Sequence, residues 1–325
     1  MTPQEEKQIQ EWGSGLSDTL QLGLVLTGDK RDSELKNFCE ALSRIVPQIH
    51  IRKEKDESYK APTIQLCDTL RYQAVPLGSE LPPFLEALDI LNGKAVQIPA
   101  QIRELLSQID LPATLRVYVS SQCHFCPATV RQLIPLAFEN KFIRIIIIDG
   151  MLFHEMAQPD NIMSVPTVLL DEHFRWTGEV QLEELIDIIR SRDPASLTAS
   201  TMARMVTEGN AFALAEMMLE KGEIFPAFLD LLVHEHFSIR LGAMAAIEEI
   251  AGQSPDLAVK VVDPLWVRFQ DLNDQIQGDI LYIIGESGTS EMIPRLEKIS
   301  DGHGGEEIRE AAQDAIDSIR ERASS

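Results

Sequence analysis

A strand followed at once by a helix, with two cysteines at the junction, is the feature that most constrains how this chain folds. Residues 115–120, LRVYVS, alternate and are rich in β-branched and aromatic types, which is typical of a strand. From Pro127 onward apolar residues recur at helical spacing, and helices accept proline in their first turn. Cys123 and Cys126 therefore lie at a strand-to-helix turn.

That position predicts redox chemistry for the two cysteines. Unpaired first-turn amides and the helix dipole stabilise a thiolate, and they can lower a cysteine pKa from about 8.5 to between roughly 3.5 and 7.5. The spacing of three lets the two sulfurs close a disulfide. We expect Cys123 to attack and Cys126 to resolve. His124 is either a residue that tunes the thiolate when protonated or an exposed turn residue.

Half of a zinc site is the alternative reading of the cysteine pair. It would need two more ligands, whereas the sequence has only the scattered His154 and His173 and no second CxxC. We therefore predict no metal site.

The elements that follow the pair predict an order of strands and helices. FIRIIIID is predicted as a strand, MLFHEMAQ as a short helix, SVPTVLLDEHFRWTG as a hairpin and LEELIDIIRSR as a closing helix. The isoleucine run suits a central parallel strand buried on both faces. Pro166 directly precedes a strand, so we expect the Val165–Pro166 bond to be cis and to lie beside the dithiol. The order βαβαββα with CxxC opening the first helix is that of a thioredoxin-like unit.

A weaker copy of the same pattern lies upstream. LQLGLVLTGD, QIHIRKEKD and APTIQLCD are predicted as strands, and SELKNFCEALSRIV and PPFLEALDIL as helices. APTIQL corresponds to VPTVLL, and Thr27–Lys30 stands where the second copy has CxxC. The predicted class is thus two tandem thioredoxin-like α/β folds, over residues 1–95 and 96–193, of which only the second carries a dithiol.

The remainder, residues 197–325, is predicted to be all-α. Three segments align without gaps, and they begin at Ile239, Ile276 and Ile308. Ala243, Ile280 and Ala312 share an inner position within them. A spacing in the thirties with paired helices predicts a short HEAT-like α-helical repeat.

Charge and hydropathy narrow the possible partners and compartment. The formal net charge of −22 over 325 residues argues against nucleic acid and anionic membrane surfaces as partners. No run approaches the length of a membrane span, and the polar N-terminus does not resemble a secretory signal. We therefore expect a cytoplasmic protein, in which a CxxC among only four cysteines is catalytic or metal-binding.

Residues 10–192 resemble the tandem thioredoxin-fold N-terminal domain of the alkyl hydroperoxide reductase flavoprotein, and more distantly the protein disulfide oxidoreductases. The resemblance rests on SSQCHFCP, IIDGMLFHE, NIMSVPTVLLDE and PLGSE. It implies that both folds pack into one body and that Glu80, in PLGSE, lies near the dithiol. Glu80 is then either a proton carrier for Cys126 or an ordinary solvated carboxylate.

The chain departs from that family after the second fold. In the family a flavin- and nicotinamide-binding module follows, whereas this chain has no GxGxxG between a strand and a helix. No dinucleotide cofactor is predicted, and the dithiol is expected to exchange electrons with a separate flavoprotein reductase and with protein disulfides such as a peroxiredoxin.

Two functional hypotheses remain open. The first is a dithiol–disulfide oxidoreductase acting in cell redox homeostasis. The second is an interaction protein whose helical repeat recruits a client. Cys39 and Cys67 lie in apolar patterns and are predicted to be structural. His234 and His236 resemble a ligand pair, but a turn between helices explains them without a ligand.

Overall fold

The computed structural model describes residues 1–56, 59–110, 112–171, 174–302 and 305–324. The chain forms two compact units, Met1–Arg192 and Asp193–Ser325.

The described residues of the first unit build an eight-stranded sheet in the order β2-β1-β3-β4-β6-β5-β7-β8. Its strands are β1 (Leu20–Leu26), β2 (Ile49–Lys55), β3 (Thr63–Gln65), β4 (Leu70–Gln73), β5 (Ala113–Val119), β6 (Ile143–Asp149), β7 (Thr167–Leu170) and β8 (Phe174–Thr177).

The same pattern of strand pairing occurs in both halves of the sheet. In each half the first strand pairs in parallel with the second and antiparallel with the third, and the third pairs antiparallel with the fourth. A parallel pairing of β4 with β6 joins the halves into one sheet. The expected βαβαββα order of the second half is confirmed. That the first half is itself a thioredoxin-like fold, with a boundary at residue 95, stays a prediction.

Some elements of this unit were not predicted from the sequence. One is β4, whose four residues are LRYQ. Another is the first helix, α1, whose N-cap is Thr2; the Thr2 side chain and Glu5 form a reciprocal capping box. The helices of this unit are α1 (Pro3–Gly13), α2 (Asp32–Ile45), α3 (Leu81–Leu91), α4 (Ala100–Leu106), α5 (Cys126–Glu139), α6 (His154–Ala157) and α7 (Leu182–Ser191).

The isoleucine strand β6 is central and parallel, as expected, because it lies between β4 and β5. The expected burial on both faces is only partly correct. Ile143, Ile145 and Ile147 are fully buried on one face, while on the other Arg144 is exposed and Ile146 half-buried.

The second unit is helical throughout the part that the structure describes. Its helices are α8 (Ala199–Thr207), α9 (Ala211–Lys221), α10 (Phe228–Leu232), α11 (Phe237–Gln253), α12 (Pro255–Ala258), α13 (Val262–Arg268), α14 (Asp274–Ser287), α15 (Ile293–Ser300) and α16 (Glu306–Ser324). The three aligned segments correspond to α11, α14 and α16. No helix among the described residues has the length and apolarity required to cross a bilayer.

The position shared by the three segments is buried in each of them, since Ala243, Ile280 and Ala312 are inaccessible to solvent. α14 packs on both α11 and α16. A Cβ on Gly285 would lie 3.1 Å from the Ala315 Cα, so the small residue allows α14 and α16 to approach closely. The HEAT-like assignment stays a prediction.

His234 and His236 lie between α10 and α11, in the turn that was expected. The backbone of this turn is held by a buried side chain. The Arg240 guanidinium is fully buried, donates to the carbonyls of His234 and Glu235, and pairs with Asp279 at 2.6 Å.

Candidate functional site

The cysteine pair closes the turn between β5 and α5. Cys123 and Cys126 form a disulfide, and Cys126 is the first residue of α5. The backbone N–H of Cys126 points at the Cys123 Sγ, 3.1 Å away, and that of Cys123 donates to the Ser120 carbonyl at 3.0 Å. Cys123 is half-buried and Cys126 is inaccessible to solvent. The sulfur that faces solvent therefore lies where first-turn amides stabilise negative charge.

The Val165 carbonyl borders this sulfur on the side of β7. The Val165–Pro166 peptide bond is cis, which confirms the sequence prediction. The Cys123 Sγ lies 3.6 Å from the Val165 carbonyl oxygen. The segment before β7 and the dithiol turn are thus neighbours, although 42 residues separate Cys123 from Val165 along the chain.

Glu80 is a buried carboxyl group, not a solvated one. It ends a short 3-10 turn, Gly78–Glu80, is 1% exposed, and neither of its carboxylate oxygens has a hydrogen-bond partner. Burial raises the pKa of Glu80 to about 7, and the charge of Asp149 acts in the same direction, while Arg131 opposes them. A carboxyl group in this state can exchange a proton near neutral pH.

The turn that carries Glu80 rests on the loop that leads to the dithiol. Ser79 donates its backbone N–H at 3.1 Å and its hydroxyl at 3.0 Å to the Ser121 carbonyl. Gly78 has a φ of +60°, and a Cβ there would lie 2.6 Å from the same oxygen. Only glycine combines this conformation with so close an approach. The PLGSE segment of the first half is thereby attached two residues before Cys123.

Tyr72 shares the environment of Glu80. Its ring is fully buried, packs edge-on against Phe84, and its hydroxyl oxygen also has no hydrogen-bond partner. Burial raises the pKa of Tyr72 well above its ordinary value, and the charge of Glu80 adds to the increase. Tyr72 is therefore neutral near pH 7, where Glu80 titrates. The sequence singled out Glu80 only through a family resemblance, and nothing in the sequence pointed to Tyr72.

An apolar groove opens next to the dithiol, and the sequence alone did not predict it. It has a volume of about 430 Å³ and runs from Ser120, past Met151 and His154, to Met163 and Val165. Met151 and Met163 are 79% and 76% exposed. Phe125, inside the cysteine turn, is 78% exposed. Exposed apolar side chains that lie together beside a groove are typical of an interaction surface. The sequence feature that could have indicated this surface is the presence of large apolar residues in predicted loops.

The other candidate residues lie as follows. His124 is exposed between the two cysteines, which fits both of its proposed readings. His154 lines the groove, and His173 lies outside the described residues. Among the residues that the structure describes, no three His, Cys, Asp or Glu side chains are grouped as metal ligands.

The remaining cysteines are remote from this chemistry. Cys39 is fully buried in α2, and burial raises the pKa of its thiol to about 12. Cys67 is half-buried, with its Sγ 3.2 Å from the Thr69 hydroxyl oxygen. Neither Cys39 nor Cys67 is in a disulfide among the described residues.

Comparisons with known proteins agree with this geometry. A family model described as a thioredoxin domain matches residues 113–190. The F subunit of the alkyl hydroperoxide reductase of Xanthomonas campestris pv. phaseoli is 25% identical over 189 residues. That alignment covers 55% of this chain and 36% of the relative, so the chain spans well under half of the relative's length.

Two solved structures have a similar fold. The NTD_N/C domain of the alkylhydroperoxide reductase AhpF from Enterococcus faecalis matches with a TM-score of 0.51 and 19% identity, covering 58% of this chain and 99% of that one. A protein disulfide oxidoreductase from Aeropyrum pernix matches with a TM-score of 0.53 and 15% identity, covering 59% of this chain and 93% of that one. Residues 113–190 thus match a thioredoxin domain, and the disulfide-bonded cysteine pair within them supports thiol–disulfide oxidoreductase activity.

Proposed function

We propose that the protein reduces disulfides of other proteins, with Cys123 as the nucleophile and Cys126 as the resolving thiol. The observation that carries this assignment is the difference in burial: Cys123 is half-buried at the helix start and Cys126 is inaccessible. Only the exposed sulfur can meet a disulfide held by another protein.

The exchange balances in two steps. The Cys123 thiolate attacks one sulfur of the substrate disulfide, which forms a mixed disulfide and expels the other substrate sulfur as a thiolate that takes a proton from solvent. The Cys126 thiol then loses its proton and attacks the Cys123 Sγ, which releases the second substrate thiol. The substrate gains two electrons, and the protein ends with the Cys123–Cys126 disulfide.

Glu80 accepts the Cys126 proton in this proposal. Its pKa of about 7 and its lack of hydrogen-bond partners support the role, because an ionised Glu80 can take up a proton at neutral pH. His124 tunes the Cys123 thiolate from the solvent side. Val165 and Pro166 border the attacking sulfur, and the apolar groove receives the side chains that flank the substrate cysteine.

The electron partners follow from the resemblance to alkyl hydroperoxide reductase. We assign reduction of the dithiol to a separate flavoprotein reductase and take a protein disulfide such as that of a peroxiredoxin as the acceptor, in the cytoplasm. The two halves of the sheet act as tandem thioredoxin-like folds, of which the first supplies Glu80.

Trapping tests the proposal. A Cys126→Ser variant should accumulate a mixed disulfide through Cys123 with its protein substrates, which mass spectrometry identifies by the linked peptide. Cys67→Ser is the matched control and should cycle like the wild type. Loss of trapping in Cys123→Ser is expected, whereas trapping through Cys67 or Cys39 would contradict the assignment.

A second candidate function is recruitment of a client by the helical unit. Large apolar side chains are exposed on that unit, at Phe212, Phe237, Leu241, Val267 and Tyr282. If the unit docks a partner, a chain ending at Pro194 should keep its activity toward a small disulfide and show a raised KM for the trapped partner. An unchanged KM would remove the docking role.

A further inference from the structure

A buried arginine lies just before α2, next to the loop of the first half that corresponds to the dithiol turn of the second half. The loop between β1 and α2 is the topological counterpart of the loop between β5 and α5, because the strand order repeats. This loop contains Thr27–Lys30 and no cysteine. Arg31 follows it, and its side chain is only 8% exposed. Arginine is rarely buried without charged partners, so its contacts indicate what it does.

The Arg31 guanidinium contacts two segments of the chain at once: its own loop and residues 152–155. Its Nε and Nη2 donate to the two carboxylate oxygens of Asp29 at 2.7 and 2.6 Å, which fixes the guanidinium plane within its own loop. From there Nη2 reaches the Glu155 carboxylate at 2.5 Å, and Nη1 donates to the Leu152 carbonyl at 2.9 Å. The guanidinium also lies over the Phe153 ring, 4.3 Å from its centroid. Among the residues that the structure describes, these hydrogen-bond, ion-pair and ring contacts beyond Asp29 are with residues 152–155 of the other half.

Electrostatics agree with a strong attachment. The hydrogen bond to Arg31 lowers the pKa of Asp29 to about 2 and lowers that of Glu155. Both carboxylates are therefore ionised throughout the physiological range. A planar donor with a fixed fork suits this site, because lysine offers one point charge and cannot serve three acceptors in the same plane.

Residues 151–155 have two sides with different neighbours. Met151 and His154 line the apolar groove beside the dithiol. Leu152, Phe153 and Glu155 supply the carbonyl, the ring and the carboxylate that contact Arg31. The start of this segment is held by Asp149. Its Oδ1 accepts the backbone N–H groups of Met151 and Leu152 at 2.9 and 3.1 Å. One wall of the groove is thus fixed from behind by Arg31.

We propose that Arg31 is a positioning residue for protein substrates: by holding residues 152–155 it keeps the Met151 and His154 wall of the groove in place for binding. The proposal rests on the function proposed above and assigns specificity to the first half of the sheet. Arg31 does not touch the dithiol, so its loss leaves the intrinsic reactivity of Cys123 intact. The consequence is a separation between large and small disulfide substrates.

Single-turnover kinetics with a large and a small disulfide substrate test this separation. The pre-reduced full chain is mixed with excess insulin, a protein disulfide, or with cystamine, a small one. Formation of the Cys123–Cys126 disulfide is followed by acid quench, maleimide labelling and mass spectrometry. For Arg31→Met we expect the half-saturating insulin concentration to rise about tenfold, with the plateau rate and the cystamine rate each within about twofold of wild type. Arg31→Lys should fall between Met and wild type.

Controls guard against a general loss of structure. Lys53→Met removes an exposed ion pair with Glu40 in the same unit and should change nothing. Hydrogen exchange of the full chain should show faster exchange at residues 150–157 in Arg31→Met and unchanged exchange in β1 and β5.

The outcomes distinguish the two proposals. An unchanged half-saturating insulin concentration, or an equal loss of rate with cystamine, overturns the role of Arg31. If wild type reduces neither disulfide, the proposed function fails, and unchanged exchange at residues 150–157 would still overturn the Arg31 proposal.

Discussion

Replacing Glu80 with glutamine should stabilise the oxidised protein at neutral and alkaline pH and have little effect at acid pH. Below pH 4.5 the carboxyl group is protonated in both the folded and the unfolded chain, so ionisation adds no cost. Between pH 4.5 and 7 the unfolded chain loses the proton while the buried group keeps it, so the free energy of unfolding falls as pH rises. Above pH 7 the penalty is constant.

The size of this penalty follows from the pKa. A rise from 4.5 to about 7, at about 1.36 kcal/mol per pH unit, gives about 3 kcal/mol at pH 8 and under about 0.5 kcal/mol at pH 4.5. Glutamine has the same shape and no charge to bury. The free energy of unfolding of Glu80→Gln should therefore exceed that of wild type by about 3 kcal/mol at pH 8 and by under about 0.5 kcal/mol at pH 4.5.

Urea unfolding of the first unit measures this difference. Trp12 and Trp176 lie in that unit, and Trp266 lies in the other, so a Trp266→Phe background makes tryptophan fluorescence report on the first unit. Glu104→Gln, at an exposed position in α4, is the matched control, with an expected change within about 0.5 kcal/mol at either pH. A stability difference for Glu80→Gln that is the same at pH 4.5 and pH 8 would refute the reasoning.

Three further predictions follow from single contacts. In the reduced protein, iodoacetamide should alkylate Cys123 faster than Cys126 near neutral pH, because only Cys123 is accessible to solvent. The two single serine variants allow each alkylation rate to be measured alone. Faster labelling of Cys126 would reverse the two roles. In the urea assay Gly78→Ala should lower the free energy of unfolding by about 1–2 kcal/mol more than Gly93→Ala. Both glycines have a positive φ, but only at Gly78 would a Cβ press against a backbone oxygen, that of Ser121. Equal losses would mean that the Ser121 backbone moves away to accommodate the Cβ. Arg240→Met should destabilise the helical unit by about 3–5 kcal/mol, because it leaves Asp279 unpaired. The control Arg268→Met, which removes an exposed ion pair, should cost less than about 1 kcal/mol. Hydrogen exchange of α11 and α14 peptides measures both costs, and similar values would argue against a stabilising role of the buried pair.

Elements whose signals are local could be predicted from the amino-acid sequence. The change of period at Cys123 and Cys126 located the turn, the hydrophobic runs predicted the order of the second half, and a proline before a strand indicated the cis bond at Pro166. These signals depend on residues within one or two turns of each other, because helix and strand periods are properties of neighbouring side chains. β4, with the residues LRYQ, was not predicted from the sequence.

The distant residues that meet at the site could be identified only from the folded structure. A glutamate resembles a surface charge until the fold buries Glu80 without a partner, and an arginine in a loop shows no function until Asp29 and Glu155 converge on Arg31. The groove joins Ser120 to Met163 across about 40 residues, and the pairing of β4 with β6 brings the halves together. Burial and charge pairing are set by contacts between residues far apart in the chain, which no local period encodes.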